Sequence, residues 1–571
     1  MPSATLPASL IPVAPAARPR LSRAAQIMRA GQWLALVALA LALLLPMAVL
    51  LSRAFSNQAG EFVWLANFAT YVTTPALITA AWNSVWTAAL TTLIVIPLAF
   101  VYAYALTRSR MPGKGLFRTA MLIPVLAPSL LPALALITLF GNQGLLRGAL
   151  FGQPLYGPVG VVMAHVIASF PHAALILAVA LGTSDGRLYE AASALKAKPF
   201  RVFMTVTLPQ ARYGLISAAI VVFTLVMTDF GIPKVIGGQF PVLATDVYKQ
   251  VVGQLDFNMG AVVGIVLLLP AVAAFLIDRW AQRQREATMS GRAVSYQPKP
   301  NAMRDGLCLL HCLMVAGVLI GLTAVAIWGS LITFWPYNLT LTTANYAFEN
   351  FDPAGWGAVW NSVKLAALVA VIGAPAIFTI AWLLERGPQG GPVPGLLRLT
   401  ATLPLAIPGL VLGLAYILFF NHPANPLGYF YGGLLILVVN SLVHFYTVGH
   451  LTAVTAIRQL DPEFESVGAS LRVPVFVTFG RVTVPICLPA ILDIAVYLFV
   501  NAMTTVSAVI FLYGPDTKLA AIAVVHMDES GQGSAAAAMA CTILAITTGV
   551  KLVHVAMGGF VNRATQAWRQ R

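Results

Sequence analysis

The chain alternates between apolar runs of about 20 residues and short polar segments along almost its whole length. A continuous apolar run of about 20 residues is long enough to cross a bilayer as a helix, whereas the strands of a membrane barrel would alternate apolar and polar residues. The pattern therefore predicts an all-α, polytopic membrane protein. We expect twelve spans, near residues 33–52, 80–106, 119–140, 158–181, 213–233, 259–277, 308–333, 359–384, 399–420, 432–455, 486–512 and 533–555.

Composition supports the membrane class, and charge adds an orientation. Only 9% of the 571 residues are charged, against about 25% in a soluble domain. If the N-terminus is cytoplasmic, 28 of the 34 Lys and Arg residues lie in cytoplasmic segments and 5 lie outside. This bias sets the orientation and places both termini in the cytoplasm. The basic residues are dispersed over short loops, so the net charge of +15 indicates topology rather than nucleic-acid binding.

Local motifs recur in the same order in the two halves of the chain. The stretch "WNSV" at Trp82–Val85 returns at Trp360–Val363, and "IPVLAP" at Ile123–Pro128 returns as "LPLAIP". The stretch "FRVFMTVTLP", which ends at Pro209, returns as "FVTFGRVTVP", which ends at Pro485. The offsets lie between 276 and 280 residues, so we predict a tandem repeat.

The repeat defines the domain organisation that we expect. Each half holds six predicted spans, an even number, so the two units have the same orientation and form a parallel repeat. The expected segments are a disordered cytoplasmic tail at 1–30, a first unit at 31–277, a cytoplasmic linker at 278–306, a second unit at 307–560 and a second cytoplasmic tail at 561–571.

One cytoplasmic segment of each unit has the pattern of a short amphipathic helix. Asp185 precedes the first, and Asp461 and Pro462 precede the second, as helix-start signals. The positions at helical spacing are Leu188, Ala191, Ala192 and Leu195 in one copy, and Phe464, Val467, Gly468 and Leu471 in the other. Such a helix can lie on the membrane, pack on its own bundle or dock on a partner. The small side chains favour close approach to another protein.

The segment "EAASALKAKPFRVFMTVTLP" resembles the EAA loop of ATP-binding-cassette importer permeases. The resemblance maps Glu190, Ala191 and Ala192 onto the start of that motif and Leu208–Pro209 onto its end, where the next span is expected to open. The glycine of the family pattern is replaced by Lys196. In the second copy, aligned on Pro485, the glutamate position is Ser466, with Glu465 one residue early, and the glycine position is Arg472.

The resemblance implies two tandem permease units forming the fused membrane subunit of a binding-protein-dependent importer in a bacterial inner membrane. Its implied partners are two cytoplasmic ATP-binding subunits, a periplasmic substrate-binding protein and membrane lipid. No phosphate-binding Gly-x-x-x-x-Gly-Lys-Ser/Thr loop occurs in the chain, so ATP must be hydrolysed by another polypeptide. We expect no catalytic residues, metal or cofactor. An ion-coupled secondary transporter and a non-transporting receptor are the alternatives, and the scarcity of intramembrane acids disfavours the former.

The substrate is less strongly indicated. Fused permeases of this kind resemble the ferric-iron, thiamine and 2-aminoethylphosphonate branches, and the stretch Thr228–Val263 is most similar to the last of these. Asp229 and Lys234 are candidates for the substrate pathway, although an aspartate near a span end also caps backbone and an outer lysine is often only solvated. Cys308, His311 and Cys312 have metal-ligand-like spacing, but ordinary helix side chains are the favoured interpretation.

Overall fold

The computed structural model describes residues 22–288, 294, 296–461 and 463–566, without the side chains of 283, 285–288, 465, 469 and 560–566. Within these residues, ten helices are long and apolar enough to cross a membrane, and two bent helix pairs raise the number of spans to as many as twelve. The structure thus confirms an all-α, multi-pass membrane fold of about twelve spans.

The first unit comprises twelve helices. They are α1 (Arg23–Ala54), α2 (Ala66–Thr73), α3 (Pro75–Arg108), α4 (Lys114–Ala120), α5 (Ile123–Leu126), α6 (Leu130–Phe140), α7 (Pro158–Gly182), α8 (Arg187–Ala194), α9 (Pro199–Thr228), α10 (Gly231–Ile236), α11 (Leu243–Tyr248) and α12 (Phe257–Thr288).

The second unit comprises nine helices and a β-hairpin. The helices are α13 (Ala302–Ser330), α14 (Gly355–Arg386), α15 (Val393–Thr402), α16 (Gly409–Phe420), α17 (Leu434–Arg458), α18 (Glu463–Ser470), α19 (Val475–Thr504), α20 (Ala520–Glu529) and α21 (Gly533–Gln566). The hairpin pairs β1 (Ile332–Phe334) with β2 (Asn338–Leu341) in antiparallel fashion.

Several helices extend beyond the predicted segment boundaries. Helix α1 begins inside the expected tail because the Ser22 side chain accepts the Ala25 N–H at 3.2 Å, and residues 1–21 of that tail lie outside the described residues. Asn301 likewise caps α13 by accepting the Arg304 N–H at 2.9 Å. Helix α12 runs into the expected linker, and α21 runs into the expected C-terminal tail. The hydrophobic runs mark the membrane-spanning parts, whereas polar caps set the helix ends.

Two predicted spans, 119–140 and 399–420, are broken rather than continuous. Their two parts are bent by 96° in the first unit and by 111° in the second. The bends lie at Ala127 and Ile407, which are extended, with ψ of 152° and 116°. Each of these residues precedes a proline, whose ring disfavours the helical conformation of the residue before it. Pro128 and Pro408 therefore break the same span in both units.

Two other predicted spans, 213–233 and 486–512, end earlier than expected. Helix α9 stops at Thr228 and α19 stops at Thr504, and the residue after each is extended. In the first unit the Asp229 carboxylate accepts the Ile232 N–H at 2.8 Å. This local bond starts the new short helix α10 instead of continuing α9.

Matching side-chain contacts confirm the tandem repeat. The Ser84 hydroxyl accepts the Leu243 N–H, and the Ser362 hydroxyl accepts the Ala520 N–H, both at 2.8 Å. On the opposite side, an arginine that ends the second span of each unit donates to a carbonyl of the fourth span. Arg108 bonds to Leu181 at 2.7 Å and Arg386 bonds to Ile457 at 3.1 Å.

The first helix of each unit packs on the other unit. Helix α1 contacts α14, α15 and α16, and α13 contacts α3, α4 and α6. The Tyr416 hydroxyl donates to the Ala42 carbonyl at 2.6 Å, and the Gln32 amide donates to the Leu383 carbonyl at 2.9 Å. The remaining helices pack mainly within their own unit, as α3, α7, α9 and α12 do in the first. The two units are therefore interlocked through these exchanged helices.

Candidate functional site

The first amphipathic segment forms α8, which we call the first inner helix. The Asp185 carboxylate accepts the Arg187 N–H at 3.0 Å, although Gly186 occupies the cap position itself. Ala192 is buried against the protein, whereas Glu190 and Ala191 are exposed. The helix therefore has one face on its own unit and one face open.

The second amphipathic segment forms α18, which we call the second inner helix. The Asp461 carboxylate accepts the Glu463 N–H at 2.9 Å, as Asp185 does for the first. Pro462 and the side chain of Glu465 lie outside the described residues. The Ser466 hydroxyl donates to the Glu463 carbonyl at 3.0 Å, and Gly468 lies so close to Thr478 that an added Cβ would be 3.1 Å from its hydroxyl oxygen.

Both inner helices are followed, at equivalent positions, by a residue with a left-handed backbone conformation. Lys196 has φ +52° and Arg472 has φ +55°, and these are the two positions at which the EAA pattern has glycine. The next amide in each case, Ala197 or Val473, donates back to the carbonyl five residues earlier. This is the bonding of a Schellman helix end, in which the left-handed residue is usually glycine. The family glycine thus has a conformational reason, and here a long cation adopts that conformation.

The inner helices expose apolar side chains on the predicted cytoplasmic side. Leu188 is half exposed and Leu195 is 82% exposed in the first, and Leu471 is 71% exposed in the second. Phe464, Val467 and Leu471 line a groove of about 550 Å³ between α18 and the first turns of α19. Exposed apolar patches beside polar residues are typical of protein interaction sites, and both helices have such an exposed face.

Leu208–Pro209 and Pro485 do not open their spans as predicted. Helix α9 already begins at Pro199 and α19 already begins at Val475. A wider π-helical turn, Phe203–Thr207 or Phe479–Thr483, lies immediately before each Leu-Pro or Val-Pro pair. A proline within a helix lacks an N–H and crowds the preceding turn, and a π-turn accommodates it without ending the helix.

The two predicted pathway residues are both engaged in the protein. The Asp229 carboxylate caps α10 and lies 3.5 Å from Nε2 of His165. The Lys234 ammonium lies 2.5 Å from the Glu529 carboxylate and 4.8 Å from the centre of the Tyr248 ring. Asp229 thus has the capping role that was the alternative to a place in the substrate pathway. Lys234 forms an ion pair and is not merely a solvated loop charge.

Lys234 belongs to a contact between the two units on the predicted outer side, which we call the outer contact. It consists of Lys234 and Tyr248 from the first unit with Phe511 and Glu529 from the second. The Tyr248 and Phe511 rings are stacked with centroids 6.1 Å apart, and α10 packs on α20. Asp528 is the residue before Glu529 of the outer contact. Its burial, and to a lesser extent the charge of Glu529, raise its pKa to about 6. Sequence reasoning missed Glu529, because no motif or repeat distinguishes it.

Cys308, His311 and Cys312 all lie on α13. Both thiols are buried in α13, and Nε2 of His311 lies 3.1 Å from the Leu98 carbonyl oxygen. Within the described part of the chain, no three His, Cys, Asp or Glu side chains are grouped so as to hold a metal ion.

An interlocked, two-unit bundle of membrane-spanning helices, joined on one side and carrying two exposed helices on the other, defines a membrane transport subunit. Residues 95–286 match the family of binding-protein-dependent transport system inner membrane components. The chain belongs to this family and is a permease subunit of an ATP-binding-cassette importer. Membership implies an ATPase and a substrate-binding protein as partners.

Relatives with several named substrates resemble the chain. The ferric transport system permease protein FbpB of Actinobacillus pleuropneumoniae is 27% identical over 475 residues, which cover 80% of this chain and 68% of the relative. The thiamine transport system permease protein ThiP of Salmonella typhimurium is 23% identical over 59% of this chain and 63% of its own length. A probable sulfate transport system permease protein, cysT of Prototheca wickerhamii, is 30% identical over 36% of this chain and 79% of its own length.

Proposed function

We propose that α8 and α18 are the sites at which two cytoplasmic ATP-binding subunits dock on this permease. Their structural equivalence supports the proposal. Each helix starts after a capping aspartate and is followed by a Lys or Arg residue in the left-handed backbone conformation. Each also leaves apolar side chains exposed. On the first helix the docking face is Leu188, Ala191 and Leu195, with Glu190 beside it. On the second it is the groove lined by Phe464, Val467 and Leu471.

Transport then proceeds by alternating access. ATP-driven closure of the two ATPase subunits moves the inner helices together, the outer contact separates, and the units open toward a loaded binding protein. A shift from 1:99 to 99:1 in favour of one state needs about 5.5 kcal/mol of differential binding. A partly exposed ion pair such as Lys234–Glu529 contributes only about 0.2 to 1 kcal/mol. The ATPase subunits therefore supply most of the shift, and the outer contact supplies a modest bias toward closure.

For the substrate we propose 2-aminoethylphosphonate or a related phosphonate. The support is the resemblance of Thr228–Val263 to 2-aminoethylphosphonate permeases. This stretch forms the end of α9, the short helices α10 and α11 and the start of α12. It thus includes Lys234 and Tyr248 of the outer contact, where a solute would pass. A zwitterionic aminophosphonate carries one group of each charge, and the stretch contains both Asp229 and Lys234. A bound solute would have to displace their present partners, His165 and Glu529. The relatives named above are permeases for ferric iron, thiamine and sulfate and give this assignment no support.

Ferric iron is the second candidate. It is favoured by the FbpB relative, whose match extends over 80% of this chain. Thiamine is a third, on the shorter ThiP match. A direct comparison separates the candidates: the substrate-binding protein that works with this permease is titrated with 2-aminoethylphosphonate, ferric iron and thiamine. Proteoliposomes that contain the whole importer are then assayed for uptake of each. Uptake of iron or thiamine without the phosphonate would refute the substrate proposal and leave the docking proposal standing.

The docking proposal is tested with the permease and its ATPase together in nanodiscs. We expect loaded binding protein to stimulate ATP hydrolysis, and we expect Glu190→Lys to abolish both the stimulation and uptake while membrane insertion is unchanged. Asp516→Lys makes the same charge change at an exposed site on the predicted outer side and should leave basal hydrolysis unchanged. Normal uptake by the Glu190→Lys variant would contradict the docking role. Uptake that needs an ion gradient instead of ATP would support a secondary transporter.

A further inference from the structure

Val294 and Tyr296, in the linker between the units, lie against the first inner helix. The Val294 carbonyl accepts the Gly186 N–H at 2.8 Å, and the Val294 N–H donates to the Asp185 carboxylate at 3.4 Å. Gly186 leaves little room for a side chain, since an added Cβ would lie 3.0 Å from the Tyr296 Cα. The linker backbone thus approaches the start of the helix closely at a glycine, where any side chain would push against it.

A buried arginine joins the linker, the first inner helix and the end of α3. Arg108 is only 2% exposed, and its guanidinium carbon lies 4.8 Å from the Tyr189 ring centre and 4.7 Å from the Tyr296 ring centre. The two rings are 4.4 Å apart. Arg108 also donates to the Leu181 carbonyl at 2.7 Å and to the Ser184 hydroxyl. Planar guanidinium groups stack well on aromatic rings, and a buried cation is held strongly in place by its partners.

The same cluster is anchored at two further points. The Tyr189 hydroxyl donates to the Thr207 hydroxyl at 3.1 Å, which connects the first inner helix to the π-turn of α9. The Arg110 N–H donates to the Asp305 carboxylate at 3.0 Å, which connects the loop after α3 to the first turn of α13. The first inner helix is therefore tied to α9, and the start of α13, which follows the linker, is tied to the loop after α3.

The second inner helix differs at the equivalent position. Arg386 retains the bond to a carbonyl of the fourth span, but Glu465 stands 276 residues after Tyr189 and offers no aromatic ring. In addition, Arg458 at the end of α17 pairs with Glu385 at 2.8 Å, whereas Ser184 and Asp185 follow α7 in the first unit. Among the residues whose side chains the structure describes, the stacked arrangement is seen in the unit that the linker reaches.

We propose that the linker is a clasp that positions the first inner helix, with Arg108, Tyr189 and Tyr296 as its positioning residues. The clasp makes α3, α8 and the linker move as one body. Its functional consequence rests on the docking role proposed above, because only a docked helix transmits ATPase closure. The clasp covers the face of α8 that carries Gly186 and Tyr189, and it leaves the opposite face, with Leu188, Ala191 and Leu195, for the partner.

The position of the helix can be measured without any ATPase. Leu195→Cys and Leu471→Cys place spin labels on the two inner helices at highly exposed sites, and the four native cysteines are buried. We expect Tyr296→Ala to broaden the distance distribution between the labels. Tyr296→Phe keeps the ring that Arg108 contacts and should leave the distribution unchanged. An unchanged distribution for Tyr296→Ala, or equal broadening for both variants, would overturn the clasp.

The second measurement is hydrolysis by the complete importer without labels. Tyr296→Ala is expected to lower the stimulation by loaded binding protein about fivefold, the factor that one partly desolvated cation–π contact supplies, with basal hydrolysis and ATPase co-purification retained. Tyr296→Phe should behave as wild type, and Tyr429→Ala, at a 92% exposed tyrosine, is the matched control. If Tyr296→Ala shows normal stimulation and Glu190→Lys still abolishes it, the clasp is refuted and the docking role stands. If Glu190→Lys shows normal uptake, the docking role itself is refuted.

Discussion

Replacing Lys196 by glycine is expected to stabilise the end of the first inner helix. With φ of +52°, Lys196 occupies a left-handed conformation that costs an L-residue about 1 to 2 kcal/mol and costs glycine little. Glycine loses more conformational freedom when the helix end forms, which offsets about 0.5 to 1 kcal/mol of this gain. We therefore expect a net local stabilisation of about 0.5 to 1 kcal/mol.

Amide hydrogen exchange in nanodiscs measures this change directly. The reporter is the Ala197 N–H, which donates to the Ala192 carbonyl at 3.0 Å and exchanges only when the helix end opens. A stabilisation of about 0.5 to 1 kcal/mol lowers the opening equilibrium about two- to fivefold. After correction for the change in intrinsic rate, exchange at Ala197 should slow by the same factor.

Two variants separate backbone conformation from charge. Lys198→Gly removes the same charge two residues later, where φ is −63° and ψ is 148°, so it should leave exchange unchanged or make it faster. Lys196→Ala removes the charge but keeps a Cβ, and it should give no slowing. If Lys196→Gly fails to slow exchange, or if Lys198→Gly slows it equally, the conformational explanation of the family glycine is wrong.

Two further predictions concern the rest of the fold. Because the pKa of Asp528 is raised to about 6 in the folded protein, against about 3.9 when exposed, its stabilising contribution is complete below about pH 4 and is lost as the pH rises from about 4 to about 6. Asp528→Asn should remove this pH dependence of thermal unfolding, and a parallel pH profile in wild type and variant would contradict it. Ser84→Ala and Ser362→Ala each leave a buried helix N–H without its acceptor, at a cost of about 1 to 3 kcal/mol. Each should lower the melting temperature by a similar amount, and an unchanged melting temperature would argue against the paired contacts.

The membrane fold is largely predictable from the sequence because its signals are local. Continuous apolar runs give the spans, and Lys and Arg give an expected orientation. The breaks at Pro128 and Pro408 follow from a rule about the residue before proline, and they recur in both units because the motif recurs. The helix ends were predicted less well, since Ser22 and Asn301 extend α1 and α13 into polar sequence by capping them.

The candidate site was predictable only in part. Asp185 and Asp461 give the starts of the inner helices, since a capping bond spans two residues. The outer contact was not predictable, because Lys234 and Glu529 are almost 300 residues apart and no periodicity connects them. The same holds for Arg108 and Tyr296, whose contact depends on how a linker returns across a folded bundle. Such contacts are set by tertiary packing and leave no mark in a local pattern.

The exchange of first helices bears on how the two inner helices, docked as we propose, could drive one concerted opening although they are unequal. A displacement of α8 reaches α3 through Arg108 and reaches α13 through the linker and the Arg110–Asp305 bond. Helix α13 belongs to the second unit in sequence but packs on the first, and α1 has the reverse arrangement. Neither unit can therefore rotate without carrying a helix of the other. A force applied mainly at the first inner helix, which the clasp holds, would therefore still move both sides of the outer contact. The second inner helix, whose EAA motif is poorly preserved, would then not need an equally strong coupling to its ATPase subunit.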